Sequence, residues 1–452
     1  MRKREYHRGV SMVIGRKSTL FLVYGFELNR REIGGDWKQH TIKGAALLPH
    51  LDEYVRRGEL LRAYETAGDA RSAFSAREPW TLTDAEGEKN IEITITDPPR
   101  LYVLDTGYVF IVLGIAPKID PKIDKEMTLA AFEDVAYGVV RAGCTRVASV
   151  SPPMKKHLKE TTPLRHFLAS FVPGLKPEAP RGTPRTTAPL AISVVLTREP
   201  LAAEDRHRLR LVYRSNQAVE PDTDEHGVWR VSARETALFS SFGFGWVVTS
   251  QEESQFLADA PHMIRDRYVY KWLLVEHQRL CLLALATECA DMSNGLDGSN
   301  FAEMRMRLLK FIATYNFRHV SSEERHDEFY KRSRDALMID DLLAEVREEV
   351  VEIDTQLAAR RAETLNHVLA FLTLVLTPVG VVCAVFQTDT VPGKFRFASV
   401  ISGEAWLALV THPPFVFVTA VAILGVIVYT RIFGYHVVAR LLRALMTRKN
   451  AS

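Results

Sequence analysis

The sequence carries no phosphate-binding G-x-x-x-x-G-K, no H-E-x-x-H and no G-x-S-x-G. That removes P-loop, zinc-peptidase and serine-hydrolase chemistry, and no enzyme activity is expected. Gly243-Phe244-Gly245 is a bare G-x-G ahead of a strand, a weak phosphate signal. Cysteine is scarce: Cys144, Cys281, Cys289 and Cys383 are scattered and never form C-x-x-C or zinc-site spacing. Scattered thiols of this kind read as buried apolar side chains in a reducing compartment. An excess of one charge is also missing, with 58 basic against 55 acidic residues and a net charge of +3. That balance argues against a nucleic-acid partner. The basic start Met1-Arg2-Lys3-Arg4 lacks a secretory core, because Arg16 and Lys17 interrupt the apolar run behind it. The N-terminus is therefore expected to stay in the cytoplasm.

What the chain does have is a hydrophobic last fifth. From Leu365 to Phe386 no side chain is charged apart from a charge His367 could take, and a second uncharged run extends from Pro413 to Thr430. A bilayer core roughly 30 Å thick takes about 20 apolar helical residues, so both runs predict membrane spans. Arg360 and Arg361 precede the first run, and Arg431, Arg440, Arg443, Arg448 and Lys449 follow the second. Between them stand Lys394 and Arg396. The positive-inside rule then places both termini in the cytoplasm, most simply of a bacterial inner membrane, with a lipid bilayer as partner. The tail mixes Leu441, Leu442 and Leu445 with basic residues, a basic amphipathic helix suited to an anionic leaflet.

The fold expected is an α+β cytoplasmic domain, a long stalk helix and a C-terminal two-helix transmembrane hairpin. Strands are expected at Leu20–Tyr24, Ile91–Ile95, Ile192–Leu196 and Trp246–Thr249, with a hairpin of Leu101–Leu104 and Tyr108–Leu113 about Gly107. Leu129–Arg141, Ile264–Met292 and Asn300–Arg318 show helical apolar spacing. Prolines 152, 153, 163, 173, 177, 180, 184 and 189 mark a loop or insertion. Ser321 and Glu324 have capping-box spacing, and no Gly or Pro follows before Pro378, which predicts one helix of about 65 residues. The domains are then 1–260, an α/β part with the Pro-rich insertion 152–189; 261–320, its helical part; 321–364, the stalk; 365–386, the first span; 387–410, the outer loop; 411–433, the second span; and 434–452, the tail.

The stalk has two faces. Leu342, Val346, Val350, Ile353 and Leu357 form an oligomer-type apolar seam. With Asn366 as reference and 100° per residue, Asp341, Glu348, Glu352, Thr373, Thr377, Gly380 and Ala384 fall within about 40° of it, and Gln387 at about 60°. A polar stripe along an apolar helix faces protein or water. It reads either as a pore wall of several subunits or as small residues that let helices pack closely. Asp341, Glu348 and Glu352 read as a cation funnel or regulatory site, or as a solvated face. Pro378 would kink the helix. His367 sits at the edge of the run.

This layout, together with Tyr270–Leu280 and the stretch from Phe329-Tyr330 through Glu348-Glu349-Val350, resembles the CorA-type family of divalent-cation channels. The resemblance implies a homopentamer whose first span lines the pore, with Mg2+ or another divalent cation as the transported or regulatory ion. Asn366, Thr373, Thr377, Gly380, Ala384 and Gln387 would then line the path, with Asp389 at the outer mouth. The family carries Gly-Met-Asn as its filter, whereas this sequence reads Val385-Phe386-Gln387-Thr388-Asp389 and contains no Gly-Met-Asn. Gln387 and Asp389 could still offer oxygen ligands to a hydrated cation. The expected function is a CorA-like oligomeric cation channel. The alternative is a signal- or ligand-gated membrane effector, whose cytoplasmic domain binds a small-molecule ligand or a protein and whose spans form a poorly selective pore.

Overall fold

The spine of the molecule is a long antiparallel hairpin. The computed structural model describes residues 12–13, 18–28, 33–34, 36–42, 46–68, 71, 74, 79–83, 90–118, 127–141, 146–150, 161–178, 180, 189–210, 227–251, 255–293 and 298–387. The strands are β1 (Met12–Val13), β2 (Thr19–Leu28), β3 (Trp37–His40), β4 (Leu61–Thr66), β5 (Trp80–Thr83), β6 (Asn90–Leu104), β7 (Tyr108–Pro117), β8 (Met127–Thr128), β9 (Arg146–Ser149), β10 (Thr162–Pro163), β11 (Leu175–Lys176), β12 (Leu190–Thr197), β13 (Val228–Arg230), β14 (Glu235–Ser240) and β15 (Gly243–Thr249). The helices are α1 (Pro49–Arg56), α2 (Leu129–Arg141), α3 (Leu164–Ala169), α4 (Ala203–Arg210), α5 (Gln255–Ile264), α6 (Tyr270–Ser293), α7 (Gly298–Thr314), α8 (Glu324–Ala336) and α9 (Ile339–Gln387), with a π-turn, Arg265–Val269, joining α5 to α6. The chain divides into two units, Met1–Val350 and Val351–Ser452.

In the first unit the described strands form one mixed sheet, whose main path runs β10-β9-β5-β6-β7-β2-β12-β15-β14-β13. β6 and β7 turn about Gly107, whose φ of +90° suits a residue without a Cβ. β12 and β15 pair in parallel, and β2 joins β12 to β7 in antiparallel register. Both faces are covered, so the central strands are apolar throughout. Leu20, Leu22, Tyr24 and Phe26 of β2 face a core completed by Phe132, Val139 and Phe167 of α2 and α3. Their neighbours Phe21 and Val23 are buried as well. On that opposite face Phe239, Phe244 and Trp246 meet Tyr268, Trp272 and Phe329 from the π-turn, α6 and α8.

Two segments differ from their sequence reading. Asp97-Pro98-Pro99 separates the two expected strands, yet β6 passes through it with register shifts around Asp97. Asp97 stands opposite Gly114, where a Cβ would come within 2.7 Å of the Asp97 Cβ, so glycine makes room for the irregularity. The Pro-rich segment is also not wholly loop: α3 lies inside it, and Leu164, Phe167 and Leu168 join the core.

The single 65-residue helix is two helices. Met338 adopts a φ of +51° between α8 and α9, and no Gly or Pro announces the break. The Ser321 hydroxyl accepts from the Glu323 amide at 3.1 Å and donates to the Ala46 carbonyl, so it serves the loop before α8 and not a capping box with Glu324. Leu343 joins Val346 and Val350 in the buried seam of α9, and Leu342 is half-buried.

The expected transmembrane hairpin, and with it the multi-pass membrane location with both termini cytoplasmic, is corrected: among the described residues no helix is long and apolar enough to cross a membrane. The described residues of the 365–386 run belong to α9. They continue a helix whose preceding residues are rich in Asp, Glu and Arg. The second expected span, 411–433, lies outside the described residues. So do the loop beyond Gln387 and the tail 434–452.

Candidate functional site

The residues singled out on the long helix are all turned to solvent where their side chains are described. In the first unit Asp341 and Glu348 are exposed. In the second unit Glu352, Asn366, Thr373, Thr377 and Gly380 are exposed, and a Cβ added to Gly380 would meet nothing within 4 Å. The Thr373 hydroxyl donates to the Leu369 carbonyl at 2.8 Å, which satisfies it within its own helix. The side chains of Ala384 and Gln387, and Asp389 altogether, lie outside the described residues. Among the described residues no group of three or more His, Cys, Asp or Glu could hold a metal ion. Among the described residues the stripe of one chain therefore forms no convergent site.

Convergent polar groups occur instead inside the first unit, at positions the sequence reading did not select. Asp97, placed by the β6 irregularity, accepts from Arg265 in the π-turn at 2.5 Å. Arg265 also donates to Asp266 at 2.8 Å, Asp266 accepts from Arg100 at 2.8 Å, and Arg100 reaches Glu65 at 3.1 Å. Glu65 lies 3.5 Å from His40. Burial alone would lower the Arg265 pKa, but its bonds to Asp266 and Asp97 outweigh that and raise it. The chain of ion pairs thus runs from a buried arginine to the end of β3. A sequence signal existed: Asp-Pro-Pro inside a strand and an Arg-Asp-Arg triplet inside an apolar helix both mark polar groups that must find partners.

A Cys–His pair lies under α7. Cys281 Sγ is 3.3 Å from His277 Nε2, which also meets the Thr106 hydroxyl at 2.7 Å, while Tyr315 donates to Asp105 nearby. Burial pushes the thiol up to about 12 and the imidazole down to about 3. Neither thiolate nor imidazolium is available at neutral pH, so the pair lacks the electropositive setting of a cysteine nucleophile. Lys271 is fully buried and lowered to about 7 by desolvation. Its ammonium donates to the Arg267 carbonyl at 3.0 Å and approaches His326 Nδ1 at 2.9 Å.

Glu276 on α6 gives a pH-dependent prediction. Burial raises its carboxyl to about 7 against the opposing pull of Arg279, whose Nη1 stands 3.5 Å from the Glu276 Oε2, a long ion pair. A raised folded-state pKa means that its contribution is full below about 4.5 and is lost as pH rises through about 7. Glu276→Gln keeps the shape and removes the charge. It is expected to be nearly neutral at pH 5 and stabilising by about 1–3 kcal/mol at pH 8, read from denaturant melts at both pH values. Equal effects at the two pH values would contradict the assignment.

No protein-family model and no curated protein matches the chain. A solved structure described as the "structure of the full-length CmaX protein" matches at 13% identity, over 53% of this chain and 88% of that chain, with a TM-score of 0.20. A likeness that weak carries no argument about fold or function.

Proposed function

We propose that the chain is a subunit of a CorA-like homo-oligomer that gathers divalent cations along an axis lined by α9. The observation that carries this is on the second unit: Leu365, Leu369, Leu372 and Leu376 are 62%, 59%, 43% and 60% exposed. Their 4-3-4 spacing is that of a helix–helix seam. Burying one leucine is worth about 2 kcal/mol, so an uncovered row of four favours association. At 100° per residue this row lies roughly 90° around the helix from Asn366, Thr373 and Thr377. A two-stranded coil uses one face only. In a ring, each helix meets its neighbour sideways and shows the adjacent face to the axis. Copies of Glu348 and Glu352 would then form the acidic rings that one chain lacks.

The test is the mass of the full chain by light scattering, with and without Mg2+, alongside Mg2+ uptake by equilibrium dialysis. Wild type is expected to form a closed oligomer, and Leu369→Glu to weaken it at least about tenfold. Glu348→Gln with Glu352→Gln is expected to assemble without Mg2+ and to bind less of it. A wild-type monomer at every Mg2+ concentration would refute the reading. Flotation of that monomer with lipid vesicles would assign the leucine row to a lipid surface instead.

A further inference from the structure

The β3–β4 hairpin and α1 enclose a concavity of about 490 Å³, a size in the range of small-molecule sites. Ile42, Leu47, Val55 and Leu61 supply apolar wall, and His40 and Arg62 supply polar wall. Arg62 decides the chemistry. It is half-buried, and among the described residues its guanidinium has no ion pair and no side-chain hydrogen bond. The other charges on the wall are matched: Arg56 meets Asp52 at 2.5 Å, and His40 stands by Glu65. The wall therefore carries one uncompensated positive charge in a planar fork, the group best shaped for two oxygens of a phosphate or carboxylate.

The rim is also held in an uncommon shape. Ala46 lines the concavity at a φ of +46°, a conformation that costs an L-residue energy and persists where its surroundings enforce it. Two bonds enforce it here. Ser321 donates to the Ala46 carbonyl, and the Leu48 amide donates to the Val320 carbonyl at 2.8 Å. Gly58, at a φ of +67°, lies under the Arg62 stem, since a Cβ there would come within 2.8 Å of Arg62 Cγ. Glycine at 58 thus leaves room for the Arg62 stem.

We infer that this concavity binds a small organic anion with a phosphate or carboxylate head on Arg62 and an apolar body against Ile42, Leu47, Val55 and Leu61. The site stands independently of how α9 assembles. Its wall also begins the ion-pair chain through Glu65 and Arg100 to the π-turn, so a bound anion would lie beside the buried polar network of this unit.

Calorimetric titration of the full chain with phenyl phosphate, benzoate and inorganic phosphate tests this. The two probes with an apolar body are expected to bind more tightly than inorganic phosphate, and their order tells a phosphate site from a carboxylate site. Arg62→Gln is expected to lose at least about tenfold in affinity, and Arg62→Lys less, because it keeps the charge without the fork. Asp52→Asn acts in the opposite direction: it removes a like charge and releases Arg56, and tightening of roughly threefold is expected at low salt. That gain keeps the test informative if Arg62→Gln fails to fold. The proposal is overturned if no probe binds at about 10 mM, or if the Arg62 and Asp52 variants all bind as wild type does.

Discussion

Replacing Phe329 by alanine is expected to destabilise the first unit by about 3–5 kcal/mol, the usual cost of deleting a fully buried aromatic side chain. Phe329 is 0% exposed and projects from α8 into the centre of the aromatic layer. Its ring lies 4.9 Å from Tyr268, 5.1 Å from Phe244, 5.4 Å from Phe239 and 6.1 Å from Trp246. Those rings come from the π-turn, β14 and β15, so the cavity would open where three elements meet and where no one of them can close it alone. Phe329→Leu keeps most of the volume and is expected to cost less than about 1.5 kcal/mol. Denaturant melts followed by the fluorescence of Trp246 and Trp272 would measure both. A loss below about 1 kcal/mol for alanine would show that the layer is not packed around this ring.

Why this layer escapes a sequence reading is instructive. Trp246 and Trp272 were legible as members of a strand and a helix, because apolar runs at period two and at three-to-four spacing report their own local structure. Residues 129–141 were legible for the same reason, as was the turn at Gly107. Nothing local states that Phe329, in a helix rich in charges, packs on the face of β14 and β15, strands far earlier in the chain. The helix break at Met338 was hidden likewise. It uses no Gly or Pro: Met338 takes its positive φ while 58% exposed, so no residue type announces the break. Asp-Pro-Pro reads as the end of a strand, and only the small Gly114 on the partner strand shows how β6 continues through it.

The candidate sites divide in the same way. The exposed stripe and the leucine row of α9 could be seen as faces, because a helix fixes the angle between residues in advance. Length and low charge predicted two spans, yet among the described residues no helix is long and apolar enough to cross a membrane. The Arg62 concavity could not be seen at all: its walls come from a hairpin and a helix whose residues alternate without a motif. What makes Arg62 informative is the missing partner, and partners are assigned only by the fold.

Arg334→Met is expected to cost about 3–5 kcal/mol, as large an effect as the loss of Phe329 but of a different origin, the loss of several charge-assisted hydrogen bonds at once. Arg334 is 5% exposed and donates to Gln278 Oε1 at 3.0 Å, the Phe317 carbonyl at 3.1 Å, Asn316 Oδ1 at 3.2 Å and Asp340 Oδ1 at 2.5 Å. The Asp340 side chain is 72% exposed, so that ion pair by itself is worth at most about 1 kcal/mol, and Asp340→Asn should cost no more. The larger loss comes from acceptors left dry. Gln278 is buried and would keep its bonds to the Tyr330 hydroxyl and the Tyr315 carbonyl, but its own oxygen would lose Arg334. Arg334→Lys retains the charge but cannot reach four acceptors at once, and an intermediate cost is expected. Arg334 also ties the end of α8 to Asp340 in the first turn of α9, across the left-handed Met338. Hydrogen exchange at residues 337–343 should therefore accelerate in Arg334→Met beyond what the global loss of stability explains, and change little in Asp340→Asn. If both variants exchange alike and cost alike, the exposed ion pair, and not the buried acceptors, fixes the start of the long helix.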